Sequence, residues 1–104
     1  MTHREELTLK AVEILNRAKG INYKFEDVKE LDNGDVSFKC TYPTGWVQKW
    51  AWPSCWLNPD WNGPVSYISG IPEESLEKIR QYTGDEKVLA RMMAYLWISR
   101  NNKR

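Results

Sequence analysis

The sequence predicts an α+β domain: two layers, a three- to four-stranded antiparallel sheet with helices packed on one face. Three observations predict it. Helical apolar spacing opens and closes the chain, and turn signals divide the middle into short alternating runs. Five of the six Trp fall within residues 45–63, an apolar area that a second layer has to cover. The predicted order is α-β-β-β-(β)-α-α, in a single domain over residues 1–104.

Length and composition agree with this. A chain of 104 residues falls in the single-domain range and buries roughly two-thirds of its unfolded surface without staples. A hydrophobic content of 41% with 12% aromatics is globular in character. The net charge of +1 provides no electrostatic pull toward nucleic acid or membrane surfaces. No apolar run approaches a membrane span, and MTHREELTLK lacks the apolar segment of a signal peptide. The expectation is a soluble cytoplasmic protein.

The elements follow in order. Thr2-His3-Arg4-Glu5 has the form of a capping box. Leu7, Val12, Ile14, Leu15 and Ala18 then recur near a helical period, and Gly20 supplies a left-handed stop, which predicts a helix over Thr2–Lys19. Glu6–Lys10 and Glu13–Arg17 are favourable i,i+4 pairs on its outer face. Residues 22–31 run to Asp32-Asn33-Gly34-Asp35, where Asn-Gly predicts a two-residue type I′ hairpin with Leu31 beside Val36. Val36, Phe38, Cys40 and Tyr42 alternate with polar residues, the pattern of a half-buried strand. The preceding strand keeps that register only through a bulge near Asp27–Glu30, which brings Val28 inward.

Tyr42-Pro43-Thr44-Gly45 reads as a type I turn with Gly45 in the left-handed bulge position. That turn sets Tyr42 against Trp46, Cys40 against Gln48, Phe38 against Trp50 and Val36 against Trp52. Trp46, Trp50 and Trp52 therefore share the apolar face and are predicted to be core. Pro53 ends the strand. A loop follows over residues 54–64, and Val65–Ser69 offers a short fourth strand. Ile71-Pro72-Glu73-Glu74 opens a second helix with Leu76, Ile79 and Tyr82 on its stripe. Thr83-Gly84-Asp85 breaks it. A third helix over Asp85–Asn101 carries Val88, Leu89, Met92, Met93, Leu96 and Trp97 at core spacing, with Tyr95 flanking them.

No residue pattern points to catalysis. The one His is His3, in the first helical turn, and a nucleophile pair would need it as base. Asp27, Asp32 and Asp35 surround a hairpin, where Asp serves turn geometry. Cys40 and Cys55 read as reduced packing thiols, and with His3 they leave a zinc site short of a ligand. Neither a metal nor a cofactor is expected, and the glycines are scattered as turn punctuation without a phosphate loop.

Binding remains, in three forms. Protein recognition is the leading one: Trp and Tyr bury large areas for little entropy, and Trp56 and Trp61, beyond Pro53, are placed to meet a partner with Tyr95 on helix three. A small inhibitor or accessory protein of the kind phages and mobile elements encode would fit. Carbohydrate binding would use Trp56 and Trp61 as stacking platforms with Asn58, Asp60 and Asn62 on the hydroxyls. The other reading of that loop folds Trp56 over the core edge and leaves Asn and Asp to serve turns. Nucleic-acid binding would use Arg91 and Arg100 with the aromatics; the same cations also suit the negative end of a helix dipole. A helix–three-strand–helix order occurs in double-stranded-RNA-binding domains as well, but the likeness is one of topology. The helix after the sheet opens Pro72-Glu73-Glu74, the wrong sign for phosphate.

Overall fold

The first helix of the chain, α1 (His3–Lys19), is defined by its two ends. The computed structural model, which describes residues 1–61 and 73–102, gives Thr2 and Glu5 the reciprocal bonds of a capping box and Gly20 a left-handed φ of 64°. Leu7, Thr8, Ala11, Val12 and Leu15 form the buried stripe. Ile14 packs partly against the core, but Ala18, expected on that stripe, is exposed. The Glu13–Arg17 pair forms at 3.8 Å.

Three strands follow, β1 (Lys24–Glu30), β2 (Val36–Thr41) and β3 (Val47–Trp52), joined as an antiparallel meander in the order β1-β2-β3. The second hairpin has the expected register throughout: Val36 pairs with Trp52, Phe38 with Trp50, Cys40 with Gln48 and Thr41 with Val47. Its turn closes through Gly45 N–H to the Tyr42 carbonyl at 2.8 Å, with Gly45 at φ 90°.

The first hairpin departs from expectation. Gly34 N–H donates to the Leu31 carbonyl at 2.9 Å and Leu31 N–H to the Asp35 carbonyl at 2.7 Å. The loop is thus Asp32-Asn33-Gly34, with Gly34 at φ 92° and Asn33 outside the positive-φ region. A type I turn with a left-handed Gly replaces the type I′ turn. Leu31 lies opposite Asp35 and is 39% exposed, and Glu30 takes the place beside Val36. The bulge is where the pattern required it, between Glu26 and Lys29. Asp27 adopts φ 55° there, and Val28 packs against the core.

A 3₁₀ turn spans Ser54–Leu57, and two helices complete the chain, α2 (Glu73–Gln81) and α3 (Gly84–Asn102). Tyr82, expected on the stripe of α2, is 44% exposed. The proposed fourth strand, Val65–Ser69, lies outside the described residues. α1 and α3 pack on each other, α1 on β1 and β2, and α3 on the 3₁₀ turn. The inner face of the sheet contributes Phe25, Val36, Phe38, Cys40 and Trp52, and α3 contributes Val88, Leu89, Met92 and Leu96, all buried.

Polar groups fix how α1 meets the sheet. The Arg4 guanidinium donates to the Gly34 carbonyl at 2.6 Å and to Ser54 Oγ at 2.8 Å, while Ser54 N–H donates to Asp35 Oδ1 at 2.7 Å. One side chain thereby ties the helix start to the first hairpin and to the exit from β3. Glu5 accepts from the Glu30 N–H at 2.7 Å and from Thr2 N–H at 3.1 Å. Those two backbone bonds hold its carboxyl below its ordinary pKa. At the other end, Asn16 brackets Tyr23, accepting from its N–H and donating to its carbonyl.

Two glycine variants separate backbone strain from contact. Gly45→Ala puts a Cβ in open space at φ +90° and costs about 1–2 kcal/mol from conformation alone. Gly34→Ala puts its Cβ 2.6 Å from Ser54 Oγ and 2.8 Å from Arg4 Nη1, and costs about 2–4 kcal/mol. Urea unfolding of both variants measures the difference. Equal losses would show that the Arg4 clasp contributes nothing.

Candidate functional site

β3 alternates its side chains, so Gln48, Trp50 and Trp52 reach the inner face one behind another. Pro53 then turns the chain into the 3₁₀ turn, which packs Trp56 onto Trp52 with ring centroids 5.6 Å apart. From α3, Tyr95 meets three indoles nearly edge-on: Trp50 at 5.4 Å and 71°, Trp52 at 5.5 Å and 81°, and Trp56 at 5.3 Å and 64°. Edge-to-face contact favours such pairs electrostatically. Flat rings set at these angles do not tile. They leave a cavity of about 250 Å³ lined by Gln48, Trp50, Ala51, Trp52, Pro53, Trp56 and Tyr95.

One of the lining residues also holds an unpaired polar atom. Trp52 is 1% exposed, and its indole Nε1 is buried with no acceptor. A buried donor left unmade costs about 1–3 kcal/mol. Gln48 spends its amide oxygen on the Tyr42 hydroxyl at 3.1 Å. Among the lining residues named, none is a carboxylate, imidazole, thiol or amine. The arrangement can surround an apolar body.

The sequence-predicted site residues are distributed differently from expectation. Trp56 is 3% exposed, so it cannot serve as a free platform: the 3₁₀ turn folds it onto Trp52 and Tyr95, the alternative reading of that loop. Trp61 is half-buried beneath Arg91, whose guanidinium carbon lies 5.1 Å from the ring centroid. Asn58 Oδ1 accepts from Asp60 N–H at 2.9 Å, and the Trp61 N–H closes back on the Asn58 carbonyl at 3.2 Å. These two exposed residues shape the turn. Asn62 and the side chain of Arg100 lie outside the described residues.

Arg91 is the second correction. It is 2% exposed, not a solvated cation at a helix end. Its guanidinium forks, donating to the Trp56 carbonyl and, at 2.8 Å, to the Trp61 carbonyl. No carboxylate pairs with it among the described residues, and burial lowers its pKa. Trp46 is the converse case. It shares the apolar face but sits at the hairpin tip, 47% exposed and stacked on Tyr42 at 4.9 Å. Trp50 and Trp52, expected to be scaffold, are the residues that shape the cavity.

Comparison with protein-family models, with curated proteins and with solved structures returns no match to this chain. Among the described residues no group of three or more His, Cys, Asp or Glu could hold a metal ion. His3 Nε2 lies 3.0 Å from Asp85 Oδ1, on an exposed surface. Cys40 is buried and Cys55 exposed, both as free thiols. Burial pushes the Cys40 thiol up to about 12.

The thiols and Arg91 each give a test. Ellman's reagent at pH 8 should modify Cys55 in the folded protein and reach Cys40 only on unfolding. Because the folded pKa of Cys40 is raised, its contribution to stability is complete below the ordinary value of 9.0 and is lost as the pH rises toward about 12. Fast reaction of both thiols in the folded state would contradict the burial. Arg91→Met should lower stability by about 2–4 kcal/mol, since two carbonyls lose a charged donor. Arg91→Lys should recover less than half, because an ammonium cannot reproduce the fork. Thermal unfolding measures both.

Proposed function

We propose that this domain is a non-catalytic protein-recognition module, acting as an inhibitor or accessory protein in the cytoplasm, that holds an apolar side chain of its partner in the aromatic cavity. The observation that carries the reading is the aromatic cavity itself, lined by Trp50, Trp52, Trp56 and Tyr95. Size supports a side chain as occupant. An apolar cavity of about 150 Å³ accepts benzene, whereas pockets for whole small molecules run to about 300–1,000 Å³. A volume of about 250 Å³ suits one substituted ring.

The same geometry removes support from the other binding readings. Arg91 is committed to two backbone carbonyls and is not available to phosphate. Trp56 is 3% exposed, too enclosed to serve as an open stacking platform for a sugar. No helix among the described residues is long and apolar enough to cross a membrane.

The test is an NMR titration that follows the indole N–H resonances with N-acetyl-phenylalaninamide, a ring with carbonyl acceptors. The Trp52 resonance should move with saturation near about 1 mM, the range expected of one unassisted side chain. Tyr95→Ala should weaken the effect at least about fivefold, while Tyr95→Phe, which keeps the ring, should retain it. Indole resonances unmoved at several times that concentration would refute the reading.

A further inference from the structure

The cavity lies along a strand whose outer side is unpaired in the described structure. β3 is the last strand in the order β1-β2-β3. Tyr42 N–H donates to the Trp46 carbonyl at 2.8 Å, which marks Tyr42 and Trp46 as a hydrogen-bonded pair. Such pairs alternate along an antiparallel ladder, so Gln48, Trp50 and Trp52 point their backbone groups at β2. Val47, Lys49 and Ala51 point theirs away from it. Among the described residues no strand receives those N–H and C=O groups. An exposed row of this kind is a template for another strand.

Three features show what such a strand would have to carry. The cavity is lined by Trp50 and Trp52 from the inner face of β3 and also by Ala51, which belongs to the outer face. Residues from both faces can line one cavity where it opens along the strand's edge. On the outer face Lys49 stands directly opposite Lys39, and like charges placed so repel. Glu26 lies 3.5 Å from Lys24 and 3.7 Å from Lys39, whereas Lys49 has no carboxylate among the described residues. The outer face of the edge therefore lacks a negative charge, and the inner face lacks an apolar filling.

We propose that the partner docks as an extended segment paired to the edge of β3, with an acidic side chain over Lys49 between two apolar side chains that face the cavity. Residues opposite one another across a ladder share a face. The partner residue opposite Lys49 therefore lies on the outer side, and those opposite Gln48 and Trp50 turn inward. The recognition pattern is apolar–acidic–apolar, supported by main-chain bonds, the strand-addition mode of peptide binding. This rests on the cavity reading above for the position of the inward side chain.

The experiment uses the full chain and a capped heptapeptide that alternates phenylalanine with glutamate between two threonines, compared with N-acetyl-phenylalaninamide. The peptide should bind at least about tenfold tighter than the amide, since edge bonds add to the ring contact. N-methylation of one alternate set of its amides should weaken it about tenfold, and methylation of the other set should leave it unchanged. Val47→Pro removes an edge N–H that no ladder bond uses and should reproduce the loss with the indole spectrum of the free protein intact. Lys49→Glu should weaken this peptide severalfold and favour one with lysine in place of glutamate.

The outcomes separate the two readings. If the amide and the peptide shift Trp52 but neither methylated set nor Val47→Pro matters, the cavity stands and strand addition is overturned. If Lys49→Glu leaves both peptides unchanged, the acidic position is overturned and Lys49 only guards the edge against self-association. If neither ligand shifts Trp52, the cavity reading fails and the strand proposal fails with it.

Discussion

The buried guanidinium of Arg91 is the interaction on which the candidate site depends. It is the one side chain described that ties α3 to the Trp56 and Trp61 carbonyls together. Held in that way, Trp56 closes one wall of the cavity and Tyr95 enters on the helical turn that follows. A guanidinium removed from water loses much of its hydration energy, and here carbonyl dipoles and the Trp61 ring face take the place of a carboxylate. Five donors in a fixed plane allow this fork, which a point charge could not make. Replacing the fork with an acid would demand another buried charge. Carbonyls achieve it with groups that the turn must place somewhere in any case.

Local chemistry made much of the fold legible. The capping box at Thr2–Glu5, the left-handed Gly20 and the Tyr42–Gly45 turn each have a short-range cause, and each has the predicted form. The bulge was legible from a conflict: Phe25 and Val28 could share a face only if one residue was added between them. The first hairpin was not legible, because Asn-Gly also fits the last two positions of a three-residue loop. The three-residue loop presents the Gly34 carbonyl to Arg4, thirty residues away in sequence. That contact belongs to tertiary structure and no local pattern carries it.

The site was less legible than the fold for a related reason. Alternation tells which residues share a face but not how far the second layer extends over it. Trp46, at the hairpin tip, and Trp52, at the end of β3, share one face by alternation, yet one is 47% exposed and the other 1%. The helices cover one end of the hairpin, and the tip projects beyond them. Proline marked where β3 ended, but it did not mark where the core ended, and Trp56 is core on its far side. Arg91 did carry a signal. It lies three residues after Val88 and four before Tyr95, within the apolar stripe, and a cation in a stripe is either misplaced or anchored.

The packing of α1 against α3 joins the first and last described elements of the chain. The meander between them consists of consecutive hairpins, whose contacts are near in sequence and close quickly. Helix-to-helix closure requires the whole intervening chain. During synthesis the sheet and α1 emerge first, with Phe38, Trp52 and Trp56 awaiting the layer that α3 supplies. Assembly of this domain is therefore completed from its C-terminal end, and until that helix leaves the ribosome the apolar side chains that it covers stay open to chaperones and to other nascent chains.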